Sequence, residues 1–420
     1  MQKARNWKRR LRRIWGDWGI SKIPLNEFII LQRGFDLPSS KRIAGNVPVV
    51  ASTGIAGYHN EIKVKAPGVV IGRSGSIGGG QYIEKDFFPL NTTLYVKDFK
   101  GHYPRFIYYL LKSIDFTSFN VGTGVPTLNR NHLSSILISD LGIDKEKEIA
   151  NILGSLDAKI QLNTQINQTL EQIAQAIFKS WFVDFDPVRA KAAALRDSKT
   201  QAEAELAAMS AISGKTTEEL TALEPERYAE LAAIAAAFPS EMGEVDGVEV
   251  PRGWEVKRID EVIKKIPVGK KYSSKTAFSE GLVPILDQGR SGVIGYHNDK
   301  AGVNASIEDP IIVFANHTCY MRLISYDFSA IQNVFAFKGK ECNLYWLYLA
   351  TLGKQEFVEY KGHFPDFLIK EIIVPPEELT ELFGKYVKEN FSKIFVNDKE
   401  NSSLAKIRDL LLPRLLSGDL

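Results

Sequence analysis

The sequence predicts an α+β protein: two β-rich globular domains separated by a pair of long antiparallel coiled-coil helices, related by a pseudo-twofold axis. Three observations carry that expectation. Short motifs recur once, in the same order and at a nearly constant offset. Each copy opens on short β-rich runs broken by Gly, Pro, Asn and Asp. Each copy then closes on a long helical stretch with a heptad seam.

The repeat is read from four matches. Gly57-Tyr58-His59-Asn60 returns as Gly295-Tyr296-His297-Asn298, 238 positions later. Val47-Pro48-Val49-Val50 matches Val283-Pro284-Ile285-Leu286 at an offset of 236. Trp18 matches Trp254 at that same offset, followed by Ile20 with Val256 and Ile23 with Ile259. Gly124-Val125-Pro126 aligns loosely with His363-Phe364-Pro365. One period per half is too long for a solenoid and reads as domain duplication. Within each copy, Val69–Ile71, Thr93–Val96, Ile311–Phe314 and Val334–Phe337 read as strands. Short helices are expected around Arg105–Lys112 and Leu344–Leu352.

Residues 144–182 hold no Pro and a single Gly, Gly154. Their seam runs Ile149, Leu153, Leu156, Ile160, Asn163, Asn167, Leu170, Ala174, Ile177 and Trp181. A shift of 234 gives Phe383, Val387, Asn390, Ile394, Asn397, Asn401, Leu404, Arg408, Leu411 and Leu415. An asparagine pair recurs in register. In an antiparallel pair Asn163 faces Asn401 and Asn167 faces Asn397, so each buried amide finds a partner. At ~1.5 Å per residue such a helix spans roughly 58 Å, enough to hold two globular halves apart. The alternative is two independent amphipathic helices, each on its own domain.

Composition bounds the function. The 420 residues allow two to four domains. The 44% apolar and 25% charged content is that of an ordinary globular chain and excludes wholesale disorder. No apolar run reaches the roughly 18 residues of a membrane span. Two cysteines, Cys319 and Cys342, are too few for a disulfide scaffold and fit a reducing cytoplasm. The net charge of +3 is uneven: residues 186–249 carry thirteen acids against six bases, and the first thirteen residues carry seven bases and no acid. A basic remainder beside an acidic insert suits a polyanion partner; a solvated surface is the alternative reading. The basic N-terminus lacks the Ser-rich character of a transit peptide and runs into Trp7, Trp15 and Trp18. No secretory signal is read there. Sixteen alanines and many glutamates make 186–249 a helical hairpin or extended connector, interrupted by Pro225 and Pro239.

Several motifs invite chemistry. Ser213-Gly214-Lys215-Thr216 looks like the tail of a phosphate loop, but Met209 stands where the pattern needs Gly, and no strand precedes it. The glycine-rich Gly72–Gly80 follows a strand; it is either a hairpin turn or a loop whose N–H groups, with Arg73 and Ser74, grip a phosphate. Asp157-Ala158-Lys159 has a nuclease-like spacing but lies within the heptads. His317 and Cys319 find no second pair of metal ligands. No nucleophile–His pairing can be nominated, and the chain is expected to lack catalysis and metal of its own. In Gly-Tyr-His-Asn, Gly and Tyr read as a tight turn with the ring packed beneath it, while His and Asn remain open as base or phosphate contacts.

The order globular segment, long helix, globular segment, long helix resembles the specificity subunit of type I restriction–modification enzymes. The resemblance rests on Pro251-Arg252-Gly253-Trp254 opening the second globular segment and on Gly124-Val125-Pro126-Thr127-Leu128-Asn129 closing the first. It also rests on Ser180-Trp181-Phe182-Val183-Asp184-Phe185 and on the C-terminal Leu411-Leu412-Pro413-Arg414-Leu415-Leu416-Ser417-Gly418. The first segment departs by opening on Trp15-Gly16-Asp17-Trp18, and the second by closing on His363-Phe364-Pro365-Asp366-Phe367.

The resemblance implies a first target-recognition domain at 1–142, a long helix at 143–185, the acidic connector at 186–250, a second recognition domain at 251–376 and a second long helix at 377–420. It implies a non-catalytic subunit that reads a bipartite duplex target, one domain per half-site. Its partners would be double-stranded DNA, two methyltransferase subunits that bind S-adenosylmethionine, and restriction subunits. The residues expected to contact DNA are Tyr58, His59, Asn60, Arg73, Ser74, Thr127 and Arg130 in the first half, and Arg290, Tyr296, His297, Asn298, Asn316, His317 and Lys361 in the second. The alternative is a non-catalytic interaction protein with duplicated binding modules on a helical stalk. An enzyme with a nucleotide site at 72–80 is the third reading.

Overall fold

The structure is a computed structural model describing residues 22–120, 124–289, 292–359 and 361–417. The basic N-terminus with Trp7, Trp15 and Trp18 lies outside the described residues, as does Arg290. The chain forms two compact units, Met1–Leu162 with Glu400–Leu420, and Asn163–Lys399. Both boundaries fall inside long helices, which the sequence reading sets apart as segments of their own.

In the first unit β1 (Lys22–Pro24), the single turn α1 (Leu25–Phe28) and β2 (Ile30–Arg33) lead into the hairpin of β3 (Val47–Ala51) and β4 (Gly54–His59). Then come β5 (Gly68–Gly72), β6 (Gly78–Ile83), β7 (Phe88–Pro89), β8 (Thr93–Asp98), α2 (Pro104–Ser113) and β9 (Leu137–Ser139). The strands order as β2-β8-β5-β6 and β4-β3-β7, with β1 beside β9. Val69, Val70 and Ile71 read as an unbroken apolar run because β5 is central and buried on both faces. Burying each such side chain contributes roughly 2 kcal/mol. The α2 helix starts at Pro104 and turns Phe106, Ile107, Leu110 and Leu111 into the core.

The first long helix, α3 (Ile143–Phe182), is fastened at its start. Glu146, in its first turn and fully buried, accepts from the backbone N–H of Tyr103 at 2.8 Å and bonds Nδ1 of His102 at 2.6 Å. In this unit the helix packs Ile149, Ala150 and Leu153 against α2 and the sheet.

The second unit opens with α4 (Asp186–Arg196), α5 (Gln201–Ser213), α6 (Thr217–Thr221) and α7 (Pro225–Ala237). The acidic segment is neither a simple hairpin nor extended. It is four short helices whose inner faces, with Met209, Leu220, Leu231 and Ile234 buried, belong to the unit's main core. Alanine on the contact faces allows this close packing. Ser213-Gly214-Lys215-Thr216 is the joint between two helices: Gly214 caps α5 at φ 68°, and Thr216 opens α6 in a reciprocal capping box with Glu219.

After the hairpin of β10 (Met242–Val245) and β11 (Val248–Pro251) come β12 (Glu255–Arg258), the turn α8 (Ile259–Val262), β13 (Ile263–Ile266) and β14 (Lys271–Tyr272). Next are β15 (Val283–Leu286), β16 (Val293–His297), β17 (Ile311–Ala315), β18 (Met321–Ile324), β19 (Ser329–Ile331) and β20 (Val334–Gly339). The unit closes with α9 (Leu344–Thr351), α10 (Phe364–Leu368), β21 (Glu371–Val374) and the long α11 (Glu377–Ser417). Its sheets order as β13-β20-β17-β18 and β14-β19-β15-β16, with β12 beside β21.

This repeats the topology of the first unit with two additions: the β10-β11 hairpin, and β14 at the edge of β19-β15-β16, where the first unit has only the isolated Phe35–Leu90 bridge. The duplicated motifs turn out to be hydrogen-bonded to each other: Val47 faces His59 and Pro48 faces Tyr58, as Val283 faces His297 and Pro284 faces Tyr296. Two of the looser matches are out of register. Leu25, not Ile23, corresponds to Ile259, because each opens its short helix by donating to an equivalent carbonyl, Ile136 or Lys370. Likewise Leu128 corresponds to His363, so Pro126 has Lys361, not Pro365, as its counterpart.

The seam residues of both long helices are buried or half-buried throughout. In the second unit, Trp181 lies against Phe383 at 5.5 Å and Asn397 donates to Asn167 at 2.8 Å. As α3 numbers rise, α11 numbers fall: the helices run antiparallel. The same sense holds in the first unit, where Lys159 pairs with Glu400 and Asp157 with Arg408. Asp157 accepts from Tyr109 Oη at 2.7 Å and from Arg408 at 2.7 Å, so the acid-x-Lys motif is a helix-packing node.

Candidate nucleic-acid interface

Each unit holds one Gly-Tyr-His-Asn copy, at the open end of a hairpin. Both copies are strand, not tight turn. Gly57 and Gly295 have φ of 135° and 153°, and a Cβ on Gly295 would stand 2.6 Å from the carbonyl oxygen of Phe278. The glycine is there because another segment crosses it closely. The alternation of a strand then sends His inward. His59 is 5% exposed, packs edge-on to Phe88 at 5.6 Å, and accepts from the backbone N–H of Ile43 at 3.1 Å through Nδ1. His297 is 2% exposed, stacks on Tyr272 at 4.1 Å, and accepts from the N–H of Asp299 at 3.0 Å. Both histidines are consumed by the fold, which corrects their assignment as DNA contacts. Tyr58, expected beneath the turn, is 55% exposed. Asn60 is exposed; Asn298 is exposed but accepts from the N–H of Leu282 at 3.1 Å. Tyr296 is half-buried and bonded through its backbone to Phe278.

A second group of candidates gathers elsewhere. Three loops of the first unit meet: the β3–β4 turn, the loop after β5, and the stretch around Pro126. Arg73 donates its N–H to Thr92 and accepts at its carbonyl from Leu128, both at 2.8 Å. Ser74 bridges Thr127, and Gln81 Nε2 ties β6 to the Ala51 carbonyl at 2.9 Å. The structure brings the candidates Arg73, Ser74 and Thr127 together here. However, the N–H groups of Arg73, Ser74 and Gly75 already donate to Thr92, Thr92 and Pro126. That removes them as a phosphate cradle and leaves the side chains. Arg73 is half-buried, with one guanidinium nitrogen 3.3 Å from the Asn91 carbonyl. Arg130 opens a short 3-10 helix beside this stretch.

The second unit repeats the arrangement with other residues. Asn316 occupies the position of Arg73: its N–H donates to Asn333 and its carbonyl accepts from His363, both at 2.9 Å. Asn316 is 8% exposed, and its Oδ1 accepts from the N–H of Phe364 at 2.8 Å. His317 Nδ1 donates to the Lys361 carbonyl at 2.8 Å, and its Nε2 accepts from Asn333 Nδ2 at 3.1 Å. Asn316 and His317 thus hold loops together and do not present base-reading edges. Lys361 is ion-paired with Glu359 and Asp366, each at 3.3 Å, and these carboxylates hold its ammonium above the ordinary lysine range. The third loop joins through Gln288, which sequence reasoning missed: its Oε1 accepts from His317 N–H at 2.9 Å and its carbonyl accepts from Thr318 Oγ1 at 2.5 Å. The one signal available was its place just past a strand end, where loops carry function.

At ~3.3 Å per residue, β3 puts roughly 13 Å between the Gly-Tyr-His-Asn end of the hairpin and the loop cluster. The sequence candidates therefore fall into two groups in each unit, of which the loop group is the convergent one.

Residues 19–172 match the family described as the type I restriction modification DNA specificity domain. The chain is 38% identical over 389 residues to the HindI specificity subunit of Haemophilus influenzae, covering 82% of this chain and 84% of that one. It belongs to the specificity subunits of type I restriction enzymes. A second relative in this family, the MjaIX specificity subunit of Methanocaldococcus jannaschii, is 23% identical over 348 residues, 76% of this chain and 70% of that one. Among solved structures, the type I restriction–modification S subunit from M. genitalium shares the fold, with a TM-score of 0.52 at 16% identity over 96% of this chain and 97% of that one. The subunit's role is DNA sequence specificity, and the duplicated loop cluster is its candidate reading surface. No helix among the described residues is long and apolar enough to cross a membrane.

Proposed function

We propose that this specificity subunit reads a bipartite duplex target, one half-site per unit, and carries no catalysis of its own. The observation that carries this reading is the loop cluster built twice on one topology with different side chains: Arg73, Ser74 and Thr127 in one unit, and Gln288 and Thr318, on loops tied by Asn316 and His317, in the other. Equivalent frames with unlike surfaces suit a target whose halves differ. In this reading the long helices α3 and α11 serve as the spacer between half-sites. Two methyltransferase subunits, holding S-adenosylmethionine, dock on this chain, restriction subunits complete the nuclease, and the assembly works in the cytoplasm.

The test is methylome sequencing of a host expressing the partner methyltransferase subunits with and without this chain. A split motif methylated only in its presence is expected. Methylation that is indifferent to the chain, or confined to one uninterrupted motif, overturns the reading.

A further inference from the structure

Resting on that reading, we propose that a cavity of about 420 Å³ in the second unit receives the edge of an adenine–thymine pair, read by Gln288 and Gln355. The cavity lies among the three loops that converge in that unit, and Thr318, Tyr320 and Phe357 also line it. Its two glutamines are fixed by opposite ends. Gln288 commits Oε1 to the N–H of His317 at 2.9 Å, which leaves Nε2 as a donor without a protein partner among the described residues. Gln355 commits Nε2 to the carbonyl of Glu356 at 3.1 Å, which leaves Oε1 as an acceptor. One donor and one acceptor complement the N7 acceptor and N6 amino group that adenine shows in the major groove.

The rest of the lining agrees. Phe357 is 56% exposed and held edge-on to His363 at 5.9 Å, an apolar wall suited to the thymine methyl. Glu356 also lines the cavity and repels a phosphate, so a base edge fits where backbone does not. The loops are tied before DNA arrives, through the Thr318 hydroxyl on Gln288 and His317 on Lys361, so little ordering is left to binding. The equivalent loops of the first unit carry Ser52, Thr53, Ser76 and Val125 and no glutamine, so they would read a different pair.

The full chain is co-expressed with its methyltransferase subunits, and methylated motifs are compared for wild type, Gln288→Ala, Gln355→Ala and Phe357→Ala. Each glutamine variant is expected to lose about tenfold or more of the preference for adenine–thymine at one position of one half-site. The other half-site and the salt dependence of binding should be unchanged. Phe357, whose side chain is largely exposed, tests the cavity without disturbing the loop ties. Wild-type discrimination in all three variants, or equal loss in both half-sites, overturns the assignment while the bipartite reading stands. A wild-type complex with no split motif overturns the reading itself, and the cavity with it.

Discussion

Asn397, fully buried on α11, donates through Nδ2 to the Oδ1 of Asn167 on α3 at 2.8 Å. Asn167 passes its own Nδ2 to Asp398 Oδ1 at 2.7 Å. A buried amide that loses its partner costs about 1–3 kcal/mol, whereas removing both partners can be close to neutral. Asn167→Leu should therefore lower the unfolding free energy by about 2 kcal/mol, and Asn167→Leu with Asn397→Leu should recover most of it. Urea denaturation of the four proteins of this cycle gives the coupling; additive losses would show that the amides act separately.

This seam was legible because heptad spacing repeats over ten positions and the polar defects repeat with it. The β-frame was legible in its central strands, whose apolar runs are long. It was less legible at the repeat edges, where Ile23 and Pro365 were matched by residue type and not by the backbone bonds that fix register. The four packed helices of the acidic insert were illegible as a core, because alanine-rich faces show little hydrophobic periodicity.

Asp157 and Arg408 form a half-buried ion pair in the first unit, with Tyr109 Oη donating to the same carboxylate. The equivalent sites in the second unit hold Phe391, Ala174 and Tyr348, and Tyr348 meets Phe391 at 6.1 Å. Removing one charge leaves the other without its partner and costs about 3 kcal/mol. Arg408→Ala should thus destabilise strongly, while Asp157→Phe with Arg408→Ala, which imports the apolar solution of the second unit, should lose less. Thermal unfolding distinguishes them, and a double variant weaker than Arg408→Ala alone would refute the equivalence.

His59 and His297 mark where residue type misled. A histidine in a repeated exposed-looking motif suggested a base contact, but strand alternation buries it and its Nδ1 serves a backbone N–H. His59→Ala should lower the unfolding free energy by about 2 kcal/mol, chiefly through the space left by the buried ring against Phe88. Tyr58→Ala and Asn60→Ala should leave stability within about 0.5 kcal/mol. Equal stability of all three would return His59 to the list of surface contacts.

Burial pushes the Cys342 thiol up to about 12. At pH 8 only about one molecule in ten thousand carries the thiolate, which is the reactive form. In a Cys319→Ser background, alkylation by iodoacetamide at pH 8 should be slower than in the urea-unfolded chain by a factor of a hundred or more. The rate should still be climbing at pH 10, where an ordinary thiol has levelled off. A plateau near pH 9 in the folded protein would contradict the shift.

Arg73 and Lys361 were both expected to neutralise phosphates, and the structure separates them. Lys361 sits between Glu359 and Asp366, a trio of net charge −1. To meet a phosphate it must leave two carboxylates behind, so little counterion release is gained. Arg73 makes no ion pair among the described residues and bonds only a carbonyl through its guanidinium. Each phosphate contact contributes about 0.9 to the slope of log K against log salt. Arg73→Met, in the complex with its methyltransferase subunits, should reduce that slope by about one. Lys361→Met should leave it unchanged, and Glu359→Gln with Asp366→Asn, which frees the lysine, should steepen it. Fluorescence anisotropy on a labelled duplex across a salt series reads all three; a drop with Lys361→Met equal to that with Arg73→Met would mean that the carboxylates release the lysine on binding.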